Sequence, residues 1–97
     1  MANREVRKRS SERDAVFDPV FREDLIWFIK NERKAAIRTL ELVEAVIADP
    51  FVGIGKPEPL RFEMSGTWSR RITQEHRLVY KVTADRIYFL QARYHYE

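Results

Sequence analysis

The chain has 97 residues, 44% of them hydrophobic and 12% aromatic, which suits a single globular domain with one modest core. It contains no cysteine, which excludes a disulfide framework and a thiolate-held metal site. No apolar run approaches the roughly 18 residues of a membrane span, and no apolar stretch follows the basic N-terminus as in a secretory signal. These features predict a cytoplasmic protein without a membrane anchor.

The formal net charge is +3, unevenly distributed. Residues 1–13 carry five basic and two acidic side chains, residues 14–49 five and eight, and residues 50–97 eight and five. The middle of the chain is therefore acidic and the C-terminal half basic. If these parts form different faces, the basic one is the place for a polyanion.

Residues 1–13 hold Met1 and Val6 as their only large apolar side chains, too little to offset ordering, so a flexible basic arm is expected there. Ala15-Val16-Phe17 reads as a first strand. Asp18-Pro19 reads as an N-cap followed by proline at the first helical position. Phe21, Leu25, Phe28 and Ile29 then recur at helical spacing, widened by Trp27. Asn31-Glu32 is a weak break. A second helix is predicted from near Arg33 to Ala48, with Ile37, Leu40, Val43 and Ile47 as its stripe, helped by Ala36 and Val46, until Asp49-Pro50 stops it.

Gly53 and Gly55 make the next segment a loop, and Lys56-Pro57-Glu58-Pro59 follows. Each proline disfavours the helical region for the residue before it, so Lys56 and Glu58 are expected in extended backbone. Leu60 to Met64 alternates as a half-buried strand does, and Ser65-Gly66 is a turn. Trp68–Thr73, His76–Val82 and Ile87–Tyr94 read as three more strands, the last two joined by a tight turn at Ala84-Asp85. The predicted architecture is α+β: an N-terminal strand and two helices on one face of a mostly antiparallel sheet of about four to five strands. The opposite face is left open.

Alternation then sorts the side chains. Arg71 shares a face with Ser69 and Thr73, and Arg77 with Val79 and Lys81. Ile87, Phe89, Gln91, Arg93 and His95 fall on one face of the last strand. A three-residue loop at Gln74-Glu75-His76 puts Arg71 and Arg77 together, and a two-residue loop separates them; the sequence leaves this open. Should they share the open face, the cluster suits a phosphate, which Arg grips with a planar fork of donors and Lys with a point charge. Two scattered histidines are too few for a metal site. That leaves metal-free chemistry on a phosphodiester, and RNA brings its own nucleophile, the 2′-OH. Glu58 is the candidate base. Arg71, Arg77 and Lys56 are the candidate phosphate ligands, and His95 is the candidate acid. Tyr96 or Tyr94 offers a ring to stack on a base. Each residue also has an ordinary reading: Glu58 as a loop carboxylate, Arg70-Arg71 as a solvated strand edge, His76 as a hydrogen-bonded strand residue, His95 as a chain-terminal residue.

The motifs GIGKPEPL (Gly53–Leu60), WSRRIT (Trp68–Thr73), EHRLVY (Glu75–Tyr80) and RYHY (Arg93–Tyr96), with Pro50-Phe51 and Ser65-Gly66, resemble the YoeB (Txe/YoeB) family of toxins within the RelE-like superfamily. The resemblance implies a RelE-like endoribonuclease domain over residues 14–97. It implies a ribosome-dependent mRNA interferase that cuts mRNA in the A site by metal-independent 2′-OH attack and so inhibits translation. By motif position, the family's base falls on Glu58 and its general acid on His95. Its phosphate-binding arginines fall on Arg71 and Arg77, its terminal aromatic on Tyr96, and a basic residue near the RNA on Lys56. No cofactor is implied. The implied partners are mRNA, the small-subunit decoding site and an antitoxin of the YefM/Phd type; family members are often homodimers. The chain departs from the family pattern at the arm 1–13, at Ala92 where cysteine is common, and at Glu97 beyond the terminal tyrosine. The rival readings are a non-catalytic toxin, as in the ParE branch, and an RNA-binding module that acts by blocking.

Overall fold

The computed structural model of the protein describes residues 13–61 and 65–94. In chain order it contains β1 (Asp14–Phe17), α1 (Pro19–Asn31), α2 (Arg33–Ala48), β2 (Glu58–Pro59), β3 (Thr67–Arg71), β4 (Arg77–Val82) and β5 (Arg86–Gln91). The five strands form one sheet in the order β1-β5-β4-β3-β2. β1 lies parallel to β5, and every other pair is antiparallel. The two helices cover one face, as the order of elements in the sequence predicts. Among the described residues no helix is long and apolar enough to cross a membrane. The predicted arm lies outside the described residues except for Arg13, whose Nε donates to the Thr83 carbonyl at 2.8 Å.

The helix boundaries follow their local chemistry. Pro19 opens α1, where its missing N–H costs nothing, and Asp18 holds the extended N-cap conformation. Asp18 caps without its side chain; its backbone N–H is taken by the Phe89 carbonyl on β5 at 3.0 Å. Glu32, at φ −144, is both the C-cap of α1 and the N-cap of α2. α2 ends at Asp49, whose Oδ1 accepts the backbone N–H of Phe51 at 3.0 Å and Val52 at 3.2 Å. That turn starts the loop leading to β2.

The core lies between α1, α2 and the covered face of β4 and β5, with Phe21, Phe28, Leu42, Leu78, Ile87 and Phe89 fully or almost fully buried. Phe17, Phe21 and Phe89 pack ring on ring at 5.1–6.0 Å. The expected stripes hold for most of their residues: Phe21 and Phe28 on α1 and Ala36, Val43, Val46 and Ile47 on α2 are buried, with three exceptions. Ile29 on α1 and Ile37 and Leu40 on α2 are about half exposed. The buried side of α2 also takes in Ala35, Thr39 and Leu42. The small side chains Ala35, Ala36 and Thr39 lie on this buried side of the helix. The Thr39 hydroxyl is satisfied within the helix by the Ala35 carbonyl at 2.7 Å.

The predicted strand Leu60–Met64 is displaced. The edge strand is Glu58–Pro59, paired with Ser69 and Trp68 of β3, and Phe62, Glu63 and Met64 lie outside the described residues. A proline fits an edge strand because it has no N–H to leave unpaired. Lys56 is not extended: its φ is +54. The following proline bars the right-handed helical region, and Lys56 takes the left-handed one within a turn that also holds Gly53 and Gly55 at positive φ. At Gly55 a Cβ would lie 2.7 Å from Leu42 Cδ2, so the loop is pressed onto α2.

Arg70 is the largest fully buried side chain, and it is the pin for this loop. Its Nη2 donates to the Asp49 carbonyl at 2.6 Å, its Nη1 to the Ile54 carbonyl at 3.1 Å, and its Nε to the Tyr80 hydroxyl at 3.1 Å. Tyr80 in turn donates to the Pro50 carbonyl at 2.7 Å. The cation therefore sits at the C-terminal end of α2, where the helix carries partial negative charge. This corrects the reading of Arg70 as a solvated strand edge. Burial pushes the Tyr80 phenol up from its ordinary value, against the opposing pull of Arg70. A raised folded-state pKa contributes stability that is fully present below about pH 10 and is lost as the pH rises through the folded-state value. Tyr80→Phe should therefore cost about 1–3 kcal/mol at neutral pH by stranding Arg70 Nε and the Pro50 carbonyl. It should also lose less further stability than the wild type between pH 9 and 11. Urea denaturation of both proteins at the two pH values checks this.

Candidate active site

The register of β3 and β4 settles what the sequence left open. Arg71 is the direct cross-strand partner of Arg77, so the two share a face, and five residues, Ile72 to His76, connect them. Thr73 shapes that turn: its hydroxyl accepts the backbone N–H of Glu75 at 3.2 Å and His76 at 3.1 Å. Past the Arg70–Leu78 pair, the second cross-strand row from Arg71–Arg77 reads Glu58, Ser69, Val79, Gln91. Side chains in neighbouring rows of the same parity share a face, so Glu58, Ser69, Arg71 and Arg77 meet on the side away from the helices.

Arg77 is the centre of this group. Its Nη1 donates to the Ser69 hydroxyl at 2.9 Å and to Glu58 Oε1 at 3.4 Å. Its side chain is 15% exposed while that of Glu58 is 55% exposed. The guanidinium is thus held in place, and the carboxylate remains open to a substrate from solvent. Arg71 is exposed beside them, and its backbone N–H ties β3 to the loop through the Gly55 carbonyl at 2.7 Å. Lys56 is exposed at the approach to Glu58. The face is not bare, because Thr67, Ser69 and Val79 on it are buried.

His95 and Tyr96 lie outside the described residues. Tyr94, the residue before His95, is held against the site: its carbonyl accepts the backbone N–H of Arg77 at 3.2 Å. The face assignment for the last strand holds for Ile87 and Phe89, both fully buried against the helices, and then changes. Tyr80 pairs with Phe89, but Val79 pairs with Gln91, so the ladder skips Leu90. Such a bulge reverses the alternation beyond it. Gln91 therefore falls in the row of Glu58 and Ser69 rather than with Phe89, and β5 ends there instead of at Tyr94. Arg93 turns to the helix side, its guanidinium 3.9 Å from the centre of the Trp27 ring. Among the described residues no group of three or more His, Asp or Glu side chains comes together as a metal would require.

Sequence reasoning did not single out Ser69, although alternation had put it on the face of Arg71. It also passed over Asp24, a carboxylate at the border of the apolar stripe of α1. Its Oδ2 accepts the backbone N–H groups of Ala92 and Arg93.

Residues 17–96 match the model of the YoeB-like toxin of bacterial type II toxin–antitoxin systems. The chain is 51% identical over 84 residues to Toxin YoeB of Mycobacterium bovis, covering 87% of this chain and 99% of that one. Among solved structures, the YoeB dimer from Staphylococcus aureus superposes with a TM-score of 0.78 at 37% identity, covering 88% of this chain and 99% of that one. YoeB in the YoeB–YefM complex from the same organism superposes with a TM-score of 0.74 at 38% identity, covering 87% and 98%. The family match spans both helices, strands β2 to β5 and the four motifs, and the chain belongs to the YoeB-like toxin family of bacterial type II toxin–antitoxin systems.

Proposed function

We propose that this toxin is a ribosome-dependent mRNA interferase that cuts mRNA in the A site by 2′-OH attack and so arrests translation in the cytoplasm. The observation that carries this reading is the Glu58–Arg77–Ser69 contact with Arg71 directly across the ladder. It puts a solvent-accessible carboxylate beside two guanidiniums, one of them anchored. In the reaction Glu58 takes the proton from the 2′-OH and the freed oxygen attacks the adjacent phosphorus. Arg77 and Arg71 grip the non-bridging oxygens, whose charge grows in the phosphorane. His95 supplies the proton to the departing 5′-oxygen. Lys56 lies where it can meet a neighbouring phosphate, and Tyr96 can stack on a base. The guanidiniums provide the positive charge that a metal provides in other nucleases, so the reading needs no metal or cofactor. An incoming phosphate competes with Glu58 for Arg77, which would free the carboxylate as the substrate seats.

The partners follow from the same surface. A YefM/Phd-type antitoxin would inhibit by laying an acidic segment over the cationic face, and the S. aureus YoeB–YefM complex supports such a pairing. The S. aureus YoeB dimer supports a homodimer.

The direct test uses programmed ribosomes and end-labelled mRNA. The expected result is a single cut within the A-site codon, dependent on the ribosome, leaving a 2′,3′-cyclic phosphate and a 5′-hydroxyl that mass spectrometry identifies. A block of translation with intact mRNA would replace this reading by one of binding alone.

A further inference from the structure

Three successive backbone amides beyond the end of β5 are captured by side chains from distant parts of the chain. The Ala92 and Arg93 N–H groups both donate to Asp24 Oδ2, at 2.9 and 3.1 Å. The Tyr94 N–H donates to His76 Nδ1 at 2.6 Å. The Tyr94 carbonyl then accepts from the Arg77 backbone at 3.2 Å. No strand ladder is involved, so this short segment owes its course to a carboxylate on α1 and an imidazole just before β4.

His76 suits that task. It is 2% exposed, its ring edge-on to Phe28 with centroids 5.0 Å apart and tilted against Tyr94 at 5.4 Å. Because Nδ1 accepts, the ring proton sits on Nε2, which faces Glu75 at 3.6 Å and Glu32 at 3.9 Å. Tyr94 itself is held at φ +69, a conformation that is unfavourable for an L side chain and persists where the surroundings enforce it. The Arg93 guanidinium adds a second hold, stacked over Trp27 and donating to the Tyr94 hydroxyl at 2.7 Å.

Chain ends ordinarily fray unless tied down, and here the tie falls on the residues immediately before His95. We propose that Asp24 and His76 are positioning residues: they clamp Ala92–Tyr94 and so fix the point from which the chain delivers His95 relative to Arg77. Neither touches the reacting atoms. The catalytic part of this assignment rests on the ribonuclease reading above; the clamp itself does not.

The test pairs activity with amide hydrogen exchange. His76→Phe keeps the ring and its contact with Phe28 but removes the acceptor. It should speed exchange of the Tyr94 amide at least about tenfold and lower kcat on programmed ribosomes by about 10²-fold, with KM nearly unchanged, since small displacements of a catalytic group cost that much. His76→Asn restores an acceptor near the Nδ1 position and should recover most of both. Asp24→Ala should give the same kcat loss with faster exchange at Ala92 and Arg93, and Asp24→Asn should again recover it. These Asp24 variants also carry the test if His76→Phe does not fold. An unchanged Tyr94 exchange rate in His76→Phe would overturn the clamp. Faster exchange with unchanged kcat would overturn the positioning role, and so would a His76→Asn protein as slow as His76→Phe. If the wild type cuts no mRNA while the exchange pattern follows expectation, the clamp stands and the ribonuclease reading falls.

Discussion

Glu58→Gln should lower the rate of mRNA cleavage on programmed ribosomes by about 10²–10⁴-fold, the usual contribution of a positioned base. The glutamine keeps the size and shape of the side chain but cannot take the 2′-OH proton. Ribosome binding should stay close to the wild-type value, because the proposed mechanism gives the grip on the phosphate to Arg71 and Arg77. Stability should barely change. The Glu58–Arg77 pair at 3.4 Å involves a carboxylate that is more than half exposed, and exposed pairs are worth at most about 1 kcal/mol. Single-turnover cleavage, a ribosome pull-down and a thermal melt separate these three quantities. Binding that falls in proportion to activity would make Glu58 a structural residue.

The second large effect concerns stability, and it divides two adjacent arginines. Arg70→Met should cost about 3–5 kcal/mol, since it leaves the Asp49 and Ile54 carbonyls and the Tyr80 hydroxyl short of a partner in a buried site. That is a large share of the roughly 5–15 kcal/mol that holds a domain together, and the melting temperature should fall by on the order of 15–30 °C. The loop from Asp49 to Ile54 would lose its pin, and Glu58 its footing. Arg71→Met, on the exposed side of the same strand, should change stability by no more than about 0.5 kcal/mol and yet reduce cleavage strongly. Circular-dichroism melts of the two variants side by side check this. Equal melting temperatures would mean that the Arg70 network contributes little.

The difference between these neighbours shows how far the sequence could be read. Proline at position 19, the break at Asn31-Glu32 and the stop at Asp49-Pro50 act locally, so the helix ends were legible to within a residue or so. Alternation put Ser69 with Arg71 and, by the same parity, Arg70 with Trp68 and Ile72 on the covered face. The pairing of two arginines drew attention to their charge and away from that parity. A buried guanidinium is rare, and its partners here are carbonyls from a loop some twenty residues earlier, which no spacing rule announces. On α2 the stripe was legible at Ala36, Val43, Val46 and Ile47 but not at Ile37 and Leu40, apolar side chains that the fold leaves about half exposed while Ala35, Thr39 and Leu42 are buried.

The candidate residues Glu58, Arg71 and Arg77 were legible as types, and their meeting depended on register. Arg71 and Arg77 share a face only through the pairing of β3 with β4. Glu58 joins them only because the edge strand begins two residues earlier than Leu60. The bulge that skips Leu90 turns the chain beyond Gln91, and from there Asp24 and His76 take over the backbone. Neither device leaves a mark in local composition. Asp24 and His76 therefore read as an ordinary helix carboxylate and a strand histidine until the fold brings them to the same segment.

The most direct measurement of the central claim is cleavage of an A-site mRNA carrying one 2′-deoxynucleotide on the 5′ side of the scissile phosphate. The account predicts that this linkage stays intact while the toxin still binds the ribosome and the all-ribose message is cut. Scission of the deoxy linkage at a comparable rate would show that the attacking oxygen comes from elsewhere, and the roles given to Glu58, Arg71 and Arg77 would not stand.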